Sequence, residues 1–266
     1  MQFRNIFTAL GAIILVGGLT ACDEPSQQGS GTGISPQNQA QTQDQHETQA
    51  SGGTDWVWPG EPDDPANFVA DPNVLRDNIM VVYDGSGSMG NRACGSSDKK
   101  HAEGVKALKL FVDSVPSEAN LGLYVFDQIA WATRVKLGTG NRGNLHDAIK
   151  AIDIGSGTPL SKALKQGYDE LTIQAQRQFG YGRYMLVVLT DGEANSESAT
   201  TEMVNAIVDS TPIEVHTVGF CLGKGHSLNQ PGRTFYSAAN TPEELINGLQ
   251  SVLAEASEDD VSDFVE

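Results

Sequence analysis

Residues 184–193 read YMLVVLTDGE, a continuous apolar run that ends in Thr190, Asp191 and Gly192. An apolar run of this length without polar alternation is expected of a strand covered on both faces, as in the interior of a parallel sheet. An aspartate on a glycine turn directly after such a strand lies where open α/β sheets bind ligands, at the carboxyl ends of their strands. This stretch therefore predicts a central strand and one side of a binding site.

The segments on either side alternate between strand and helix patterns. Apolar runs at residues 79–83 (IMVVY) and 121–126 (LGLYVF) predict two more buried strands, and residues 131–135 (WATRV) alternate as an antiparallel edge strand would. Two further strands are predicted at residues 213–220 and around residues 234–236. Each of these strands is separated from the central one by at least one helical segment, and the edge strand follows its neighbour, residues 121–126, after a short break.

Apolar residues recur at helical spacing between the strands. The predicted helices cover five segments: residues 105–115, 145–152, 160–179, 203–208 and 242–253. Thr241, Pro242 and Glu244 form a capping box with proline in the first turn of the last helix. The alternation predicts an α/β fold, a doubly wound and mostly parallel sheet with one antiparallel edge strand and helices on both faces.

Side chains with oxygen atoms cluster after the predicted strands. Residues 84–90 read DGSGSMG and place one carboxylate and two hydroxyls at alternate positions, while glycines let the backbone turn tightly. Thr158 comes just before a predicted helix, and Asp191 follows the central strand. An all-oxygen set suits Mg²⁺ or Mn²⁺, and no His or Cys cluster has the spacing of a zinc site. The alternative is that these residues only form turns at strand ends.

The order of these motifs resembles a known family. Asp-x-Ser-x-Ser, a later Thr-Pro that opens a helix, and Thr-Asp-Gly after a central strand are similar to the metal-ion-dependent adhesion site of von Willebrand factor type A domains, over roughly residues 77–254. The resemblance implies a Rossmann-like domain and a site for Mg²⁺ or Mn²⁺ in which some ligands act through water. It implies that the metal shell comprises Asp84, Ser86, Ser88, Thr158 and Asp191. It also implies a binding role, in which an acidic residue of a protein partner completes the shell.

The N-terminus has the pattern of a targeting signal. Arg4 precedes an apolar run from Ile6 to Leu19, which is shorter than the ~20 residues of a bilayer span, so residues 1–21 are predicted to be a signal peptide. Leu19-Thr20-Ala21-Cys22 resembles a bacterial lipobox, which implies cleavage before Cys22 and attachment of lipid to it. An ordinary secretory signal with a chance cysteine is the alternative. The lipobox implies a lipid anchor on the extracytoplasmic side of the cell envelope, and Asp23 favours the inner membrane.

Composition separates the flanks from the domain. Residues 22–54 are polar and rich in Gln, and are predicted to be a disordered tether. Residues 55–76 are predicted to be an irregular lead-in, with an exposed aromatic patch as the alternative, and residues 255–266 an acidic tail. Of the net charge of −17, most comes from these flanks, and residues 77–254 carry no basic stripe that could neutralise phosphates. A nucleic-acid partner is therefore excluded.

Cysteine and lysine residues fall near the predicted site. With Cys22 assigned to lipid, Cys94 and Cys221 remain as an even pair outside the cytosol, and both are expected on the rim that carries the metal. The sequence is compatible with a disulfide between them and with two free thiols. A basic cluster at residues 92–101 could steer an acidic ligand or could simply be a solvated loop.

An enzyme is the competing hypothesis. Residues 86–90 (SGSMG) differ by one residue from the nucleophile elbow of α/β-hydrolases, and Asp191 and His216 or His226 follow in the right order. That elbow normally follows several strands, whereas here it follows the first, and His216 falls in the middle of a strand. We therefore predict that the domain is not an enzyme, and retain a hydrolase or a subunit of an enzyme complex as the alternative.

Overall fold

The computed structural model describes residues 58–62, 64–155 and 157–257, with side chains described as far as residue 254. Several sequence predictions lie outside these residues. They concern the signal peptide, the tether, the lipid attachment at Cys22, residues 55–57 of the lead-in and nearly all of the acidic tail. Among the helices in the described ranges, none is long and apolar enough to cross a membrane.

Six strands form one sheet in the described part of the chain. They are β1 (Asn78–Asp84), β2 (Asn120–Phe126), β3 (Trp131–Val135), β4 (Tyr184–Thr190), β5 (Glu214–Phe220) and β6 (Phe235–Ala239), in the spatial order β3-β2-β1-β4-β5-β6. All neighbouring pairs are parallel except β2 and β3, which are antiparallel. The predicted fold class is confirmed. The last strand begins at Phe235 and extends to Ala239, further than the sequence pattern indicated.

Five α-helices cover the two faces of this sheet. They are α1 (Lys100–Ser114), α2 (Arg142–Lys150), α3 (Leu160–Arg177), α4 (Glu197–Ser210) and α5 (Pro242–Ser257). Helices α1, α2 and α5 pack on one face, and α3 and α4 pack on the other. Because β1, β2 and β4 are fully buried between these layers, their sequences can be apolar throughout, whereas β3 is partly exposed and alternates.

The predicted capping box opens α5. The Thr241 hydroxyl accepts a hydrogen bond of 3.1 Å from the Glu244 backbone N–H. The Glu244 carboxylate in turn accepts a bond of 2.6 Å from the backbone N–H of Asn240, one residue before the position expected in a standard box. The first bond satisfies a backbone donor that the first turn of the helix leaves without an intrahelical partner, and the second fixes the residue just before the N-cap. Helix α5 continues to Ser257, a few residues into the predicted acidic tail.

The lead-in packs on the domain. Trp58 meets Tyr184 edge to face with ring centroids 5.2 Å apart. Asp71 is buried and accepts a hydrogen bond of 2.8 Å from the side-chain amide of Gln174 in α3. The regular secondary structure in the described part of the lead-in is a single 3₁₀ turn, Pro65–Asn67. An irregular lead-in was predicted, and its aromatic residues contribute to packing as well as to the surface.

The strand order reverses between β1 and β4. From β1 the chain builds outward through β2 and β3 on one side, and from β4 it builds outward through β5 and β6 on the other. At such a switch point the connections leave in opposite directions and open a crevice at the carboxyl ends of the two strands. Asp84 is the last residue of β1, and Asp191 directly follows β4. The topology therefore brings together the carboxylates that the sequence places more than a hundred residues apart.

Candidate metal centre

Asp84 lies at the base of the crevice and is fully buried. One carboxylate oxygen, Oδ1, accepts a hydrogen bond of 2.8 Å from the Ser86 backbone N–H, and the other, Oδ2, accepts one of 2.6 Å from the Thr190 hydroxyl. Burial raises the pKa of Asp84 to about 6, and repulsion by Asp191 adds to that effect, although the two hydrogen-bond donors oppose it. A cation that reaches a buried carboxylate with a raised pKa strongly stabilises its charged form.

A chain of hydroxyls connects the first motif to Asp191. The Ser88 hydroxyl donates a hydrogen bond of 2.7 Å to Asp191 Oδ1, and Ser86 Oγ lies 2.9 Å from Ser88 Oγ. Because Ser88 has a single hydroxyl proton and gives it to Asp191, Ser86 must donate to Ser88. The three side chains therefore occupy one small space at the carboxyl ends of β1 and β4.

Thr158 approaches the same space from the loop before α3. A Cβ atom at Gly192 would lie 3.4 Å from Ser88 Oγ and 3.5 Å from Thr158 Oγ1, so both hydroxyls face the space beside this glycine. Asn195 holds the two loops together, since its side-chain oxygen accepts a bond of 2.9 Å from Thr158 N–H and its own N–H donates to the Thr158 carbonyl, also at 2.9 Å. All five residues predicted for the metal shell thus lie around one crevice.

A cationic side chain already contacts this cluster. The ammonium group of Lys100, the first residue of α1, lies 2.8 Å from Asp191 Oδ2, and the Asp191 side chain has no exposed surface. The ammonium nitrogen stands where a positive charge would be stabilised by oxygen atoms. The donor set therefore fits a cation.

The donor set also indicates which cation. It consists of two carboxylates and three hydroxyls, and no group of three His, Cys, Asp or Glu side chains able to hold a metal is found among the described residues. Hard cations such as Mg²⁺ and Mn²⁺ take such oxygen ligands and retain several waters, whereas zinc prefers nitrogen and sulfur. When bound, such a cation would supply a positive charge with an open coordination position.

Comparison with known protein families covers the region of the chain that contains this crevice. Residues 79–193 match the family model of the von Willebrand factor type A domain, and this range contains all five predicted ligands. The fold is the von Willebrand factor type A fold. No curated protein matches the chain by sequence.

Several solved structures superimpose on this chain at low sequence identity. Manganese-loaded TRAP protein from Plasmodium vivax has a TM-score of 0.50 and 18% identity, over 66% of this chain and 72% of that chain. The pilus adhesin SpaC from Lactobacillus rhamnosus GG has a TM-score of 0.54 and 17% identity, over 70% of this chain and 31% of that chain. The vWF domain of the type V pili tip protein Mfa5 from Porphyromonas gingivalis has a TM-score of 0.54 and 13% identity, over 71% and 99%. The matched region spans less than a third of SpaC.

The loop that follows the first motif is attached to the rest of the domain by a disulfide. Cys94 and Cys221 are bonded, with their Cα atoms 5.7 Å apart. The Cys221 backbone N–H donates a bond of 2.7 Å to the carbonyl of Ala239, at the end of β6. The bond therefore ties the loop between β1 and α1 to the carboxyl ends of β5 and β6, across the intervening β4.

The two histidines of the hydrolase hypothesis make other contacts in this domain. His226 Nδ1 accepts a hydrogen bond of 3.1 Å from the Leu228 N–H, so the proton is on Nε2, which donates to the Gly192 carbonyl at 3.1 Å. His216 is buried in β5, 3.0 Å from Glu214, and stacks on Phe235. The Ser88 hydroxyl donates its hydrogen bond to Asp191 and not to a histidine.

Sequence patterns missed the role of several residues at the site. Asn195 and His226 brace the loops that carry Thr158 and Asp191, and Lys100 pairs with Asp191. The basic cluster at residues 92–101 was interpreted as a group that steers ligands or as a solvated loop, and not as a source of an ion pair with a metal ligand. Within it Lys100 points at the site, whereas Arg92 bonds to the Ser97 carbonyl and His101 lies against Tyr83. The first turn of a helix is an unfavourable position for a cation, so a lysine there was the signal in the sequence that could have indicated a role for Lys100.

Proposed function

We propose that this protein is a membrane-anchored binding module outside the cytoplasm, which captures a protein partner through a divalent cation. Mg²⁺ or Mn²⁺ would be held by Asp84, Ser86, Ser88, Thr158 and Asp191, some of them through water. An acidic residue of the partner would complete the coordination shell. The lipid at Cys22 would provide the anchor.

The observation that carries this proposal is the oxygen-only cluster at the switch point, where a positive ammonium group already contacts Asp191. Two carboxylates only balance the charge of a divalent cation, so binding of a third carboxylate, from a partner, is electrostatically favourable. The matching structures support a binding role, since they include a manganese-loaded protein, a pilus adhesin and a pilus tip protein. A hydrolase or a subunit of an enzyme complex is the second candidate, but the hydrogen bonds of His226 disfavour it.

The first test is calorimetric titration of the purified protein with Mg²⁺ and with Mn²⁺. We expect one site, and we expect Ser88→Ala to weaken binding by about 10–100-fold, the range seen when residues that orient a metal centre are removed. Ser114→Ala is the matched control, because this serine is exposed at the far end of α1 from the site. Saturable binding that is unaffected by Ser88→Ala would place the metal elsewhere. No binding of either ion, by the wild type and also by the Lys100→Met variant that lacks the ammonium group beside Asp191, would refute the metal centre.

Capture of a partner is tested with the metal-loaded protein as bait on envelope extracts. We expect retention of a specific protein in Mg²⁺ that is lost with chelator, and lost again when the carboxylate of the partner's contact residue is changed from Glu to Gln or from Asp to Asn. Removing that carboxylate would leave the open coordination position to water. Retention that persists in chelator would contradict a metal-bridged contact.

The anchor is tested by metabolic labelling with a palmitate analogue in a bacterial host. We expect the wild-type protein to incorporate the label and Cys22→Ser to incorporate none, because the thiol of this cysteine is the predicted attachment point. Equal labelling of the two proteins, or none in the wild type, would contradict lipid attachment at Cys22.

A further inference from the structure

Lys100 forms the one described ion pair that includes a predicted metal ligand. Its ammonium group lies 2.8 Å from Asp191 Oδ2, and the side-chain exposures are 13% for Lys100 and 0% for Asp191. The other oxygen of Asp191 accepts the Ser88 hydroxyl. One oxygen of Asp191 therefore accepts from the hydroxyl chain, and the other pairs with an internal cation.

Local preference does not explain a lysine at this position. Lys100 begins α1, where the partial positive charge of the helix N-terminus disfavours a cation, and Lys99 before it provides no side-chain cap. Its backbone is held in place, since its N–H donates a bond of 2.9 Å to the Asn91 carbonyl. The disulfide of Cys94 anchors the same loop. The backbone is fixed while the flexible four-carbon side chain reaches into the crevice.

The ammonium group performs the task that a metal would perform. A buried carboxylate without a counter-ion strongly destabilises a folded protein. A divalent cation at Asp191 would place a second positive charge beside the ammonium, where the low polarity of a buried site makes repulsion strong. The two cations therefore compete for one carboxylate.

We propose that Lys100 is a built-in competitor for the divalent cation, which neutralises Asp191 in the metal-free domain and lowers its affinity for the metal. This inference rests on the proposed function. The lysine side chain must withdraw from Asp191 when the metal binds, so the affinity for metal is set by the exchange of one cation for another. The site is consequently a switch between a lysine-closed and a metal-loaded state.

The test compares four proteins by calorimetric titration with Mg²⁺: wild type, Lys100→Met, Lys100→Arg and Lys106→Met. Methionine keeps the length of the side chain and removes its charge. Lys106→Met is the matched control, because it removes the same charge from an exposed position on the same helix. We expect Lys100→Met to bind Mg²⁺ roughly tenfold or more tightly than wild type, Lys106→Met to change by less than about twofold, and Lys100→Arg to retain weak binding.

Thermal melting gives a second measurement that a merely structural role would not reproduce. We expect Lys100→Met to melt below wild type in chelator and to gain more from added Mg²⁺ than wild type does. If Lys100→Met unfolds in chelator, it is purified in Mg²⁺, and unfolding on chelation that Lys106→Met does not show supports the proposal.

The outcomes distinguish this inference from the proposed function. If wild type binds Mg²⁺ and Lys100→Met binds it equally or more weakly, competition is overturned and the metal centre stands. If Lys100→Met binds Mg²⁺ and wild type does not, the competition is strong and the donor set is supported. If none of the four proteins binds Mg²⁺ or Mn²⁺, the metal centre is overturned and the competition with it.

Discussion

Replacing Asp84 with asparagine is expected to abolish tight binding of Mg²⁺ and, at the same time, to stabilise the metal-free domain at pH 8. The loss of affinity should be at least about 100-fold, because even residues outside the metal shell cost about 10–100-fold when removed. The gain in stability follows from burial, since the carboxylate is fully buried and its pKa is raised to about 6. An amide carries no charge to desolvate.

The direction of the pH dependence follows from the same pKa. The folded domain holds the Asp84 proton more tightly than an unfolded chain, in which the pKa is near 3.8. Its contribution to stability is therefore fully present below about pH 4 and is lost as the pH rises through about 6. The difference of about two pKa units corresponds to roughly 2–3 kcal/mol in the free energy of unfolding at pH 8. Metal binding should weaken over the same interval as the pH falls, because the proton and the metal compete for Asp84.

Thermal melts in chelator at pH 5 and pH 8 measure this effect. Asp84→Asn should melt higher than wild type at pH 8, with a smaller difference at pH 5. Asp147→Asn, at an exposed position on α2, is the control for loss of a negative charge and should change little at either pH. Asparagine preserves the contacts, because its oxygen can accept from Ser86 N–H and its amide can donate to the Thr190 hydroxyl. A variant less stable than wild type at pH 8 would contradict a destabilising buried charge.

Replacing Gly85 with alanine is expected to lower the free energy of unfolding by about 2–3 kcal/mol, the cost of overfilling a tightly packed position. A Cβ atom here would lie 2.7 Å from the Cβ of Asp127 and 2.9 Å from the carbonyl oxygen of Phe126. Neither neighbour is the end of a flexible side chain. Gly85 is also held on both sides, because its N–H donates to Phe126 and its carbonyl accepts from Gly155 N–H, both at 2.9 Å.

The same substitution should weaken Mg²⁺ binding, because Gly85 connects Asp84 to Ser86 and any shift displaces both. Urea unfolding in chelator measures the loss of stability, and titration measures the loss of affinity. Gly143→Ala is the matched control, since this glycine lies in α2 with no atom within 4 Å of the added Cβ. Alanine at that position should be neutral or stabilise by up to about 1 kcal/mol. Equal stability of wild type and Gly85→Ala would show that the β1 turn is more adaptable than its packing indicates.

Local sequence patterns were sufficient for the architecture. The run at residues 184–189 could be identified as a central strand because both of its faces are buried. The alternation at residues 131–135 indicated an edge, and that strand is only partly buried. Helix ends were less well determined. Helix α2 begins at Arg142 rather than near Leu145, because its first turn is polar and lacks an apolar period. Strand β6 extends to Ala239 through pairing with β5, which its own short, partly exposed sequence does not indicate.

In the candidate site, too, some features follow from local sequence patterns and others only from the tertiary structure. The sequence by itself determined which oxygen-bearing residues follow the strands, because motif spacing and strand ends are local properties. Only the tertiary structure decided that the Ser88 hydroxyl donates to Asp191, that Cys94 pairs with Cys221, and that the ammonium of Lys100 neutralises Asp191. These contacts join residues about 90 to 130 positions apart. The order of the strands and the path of a loop across β4 set such distances, and neither is encoded in a local pattern of residues.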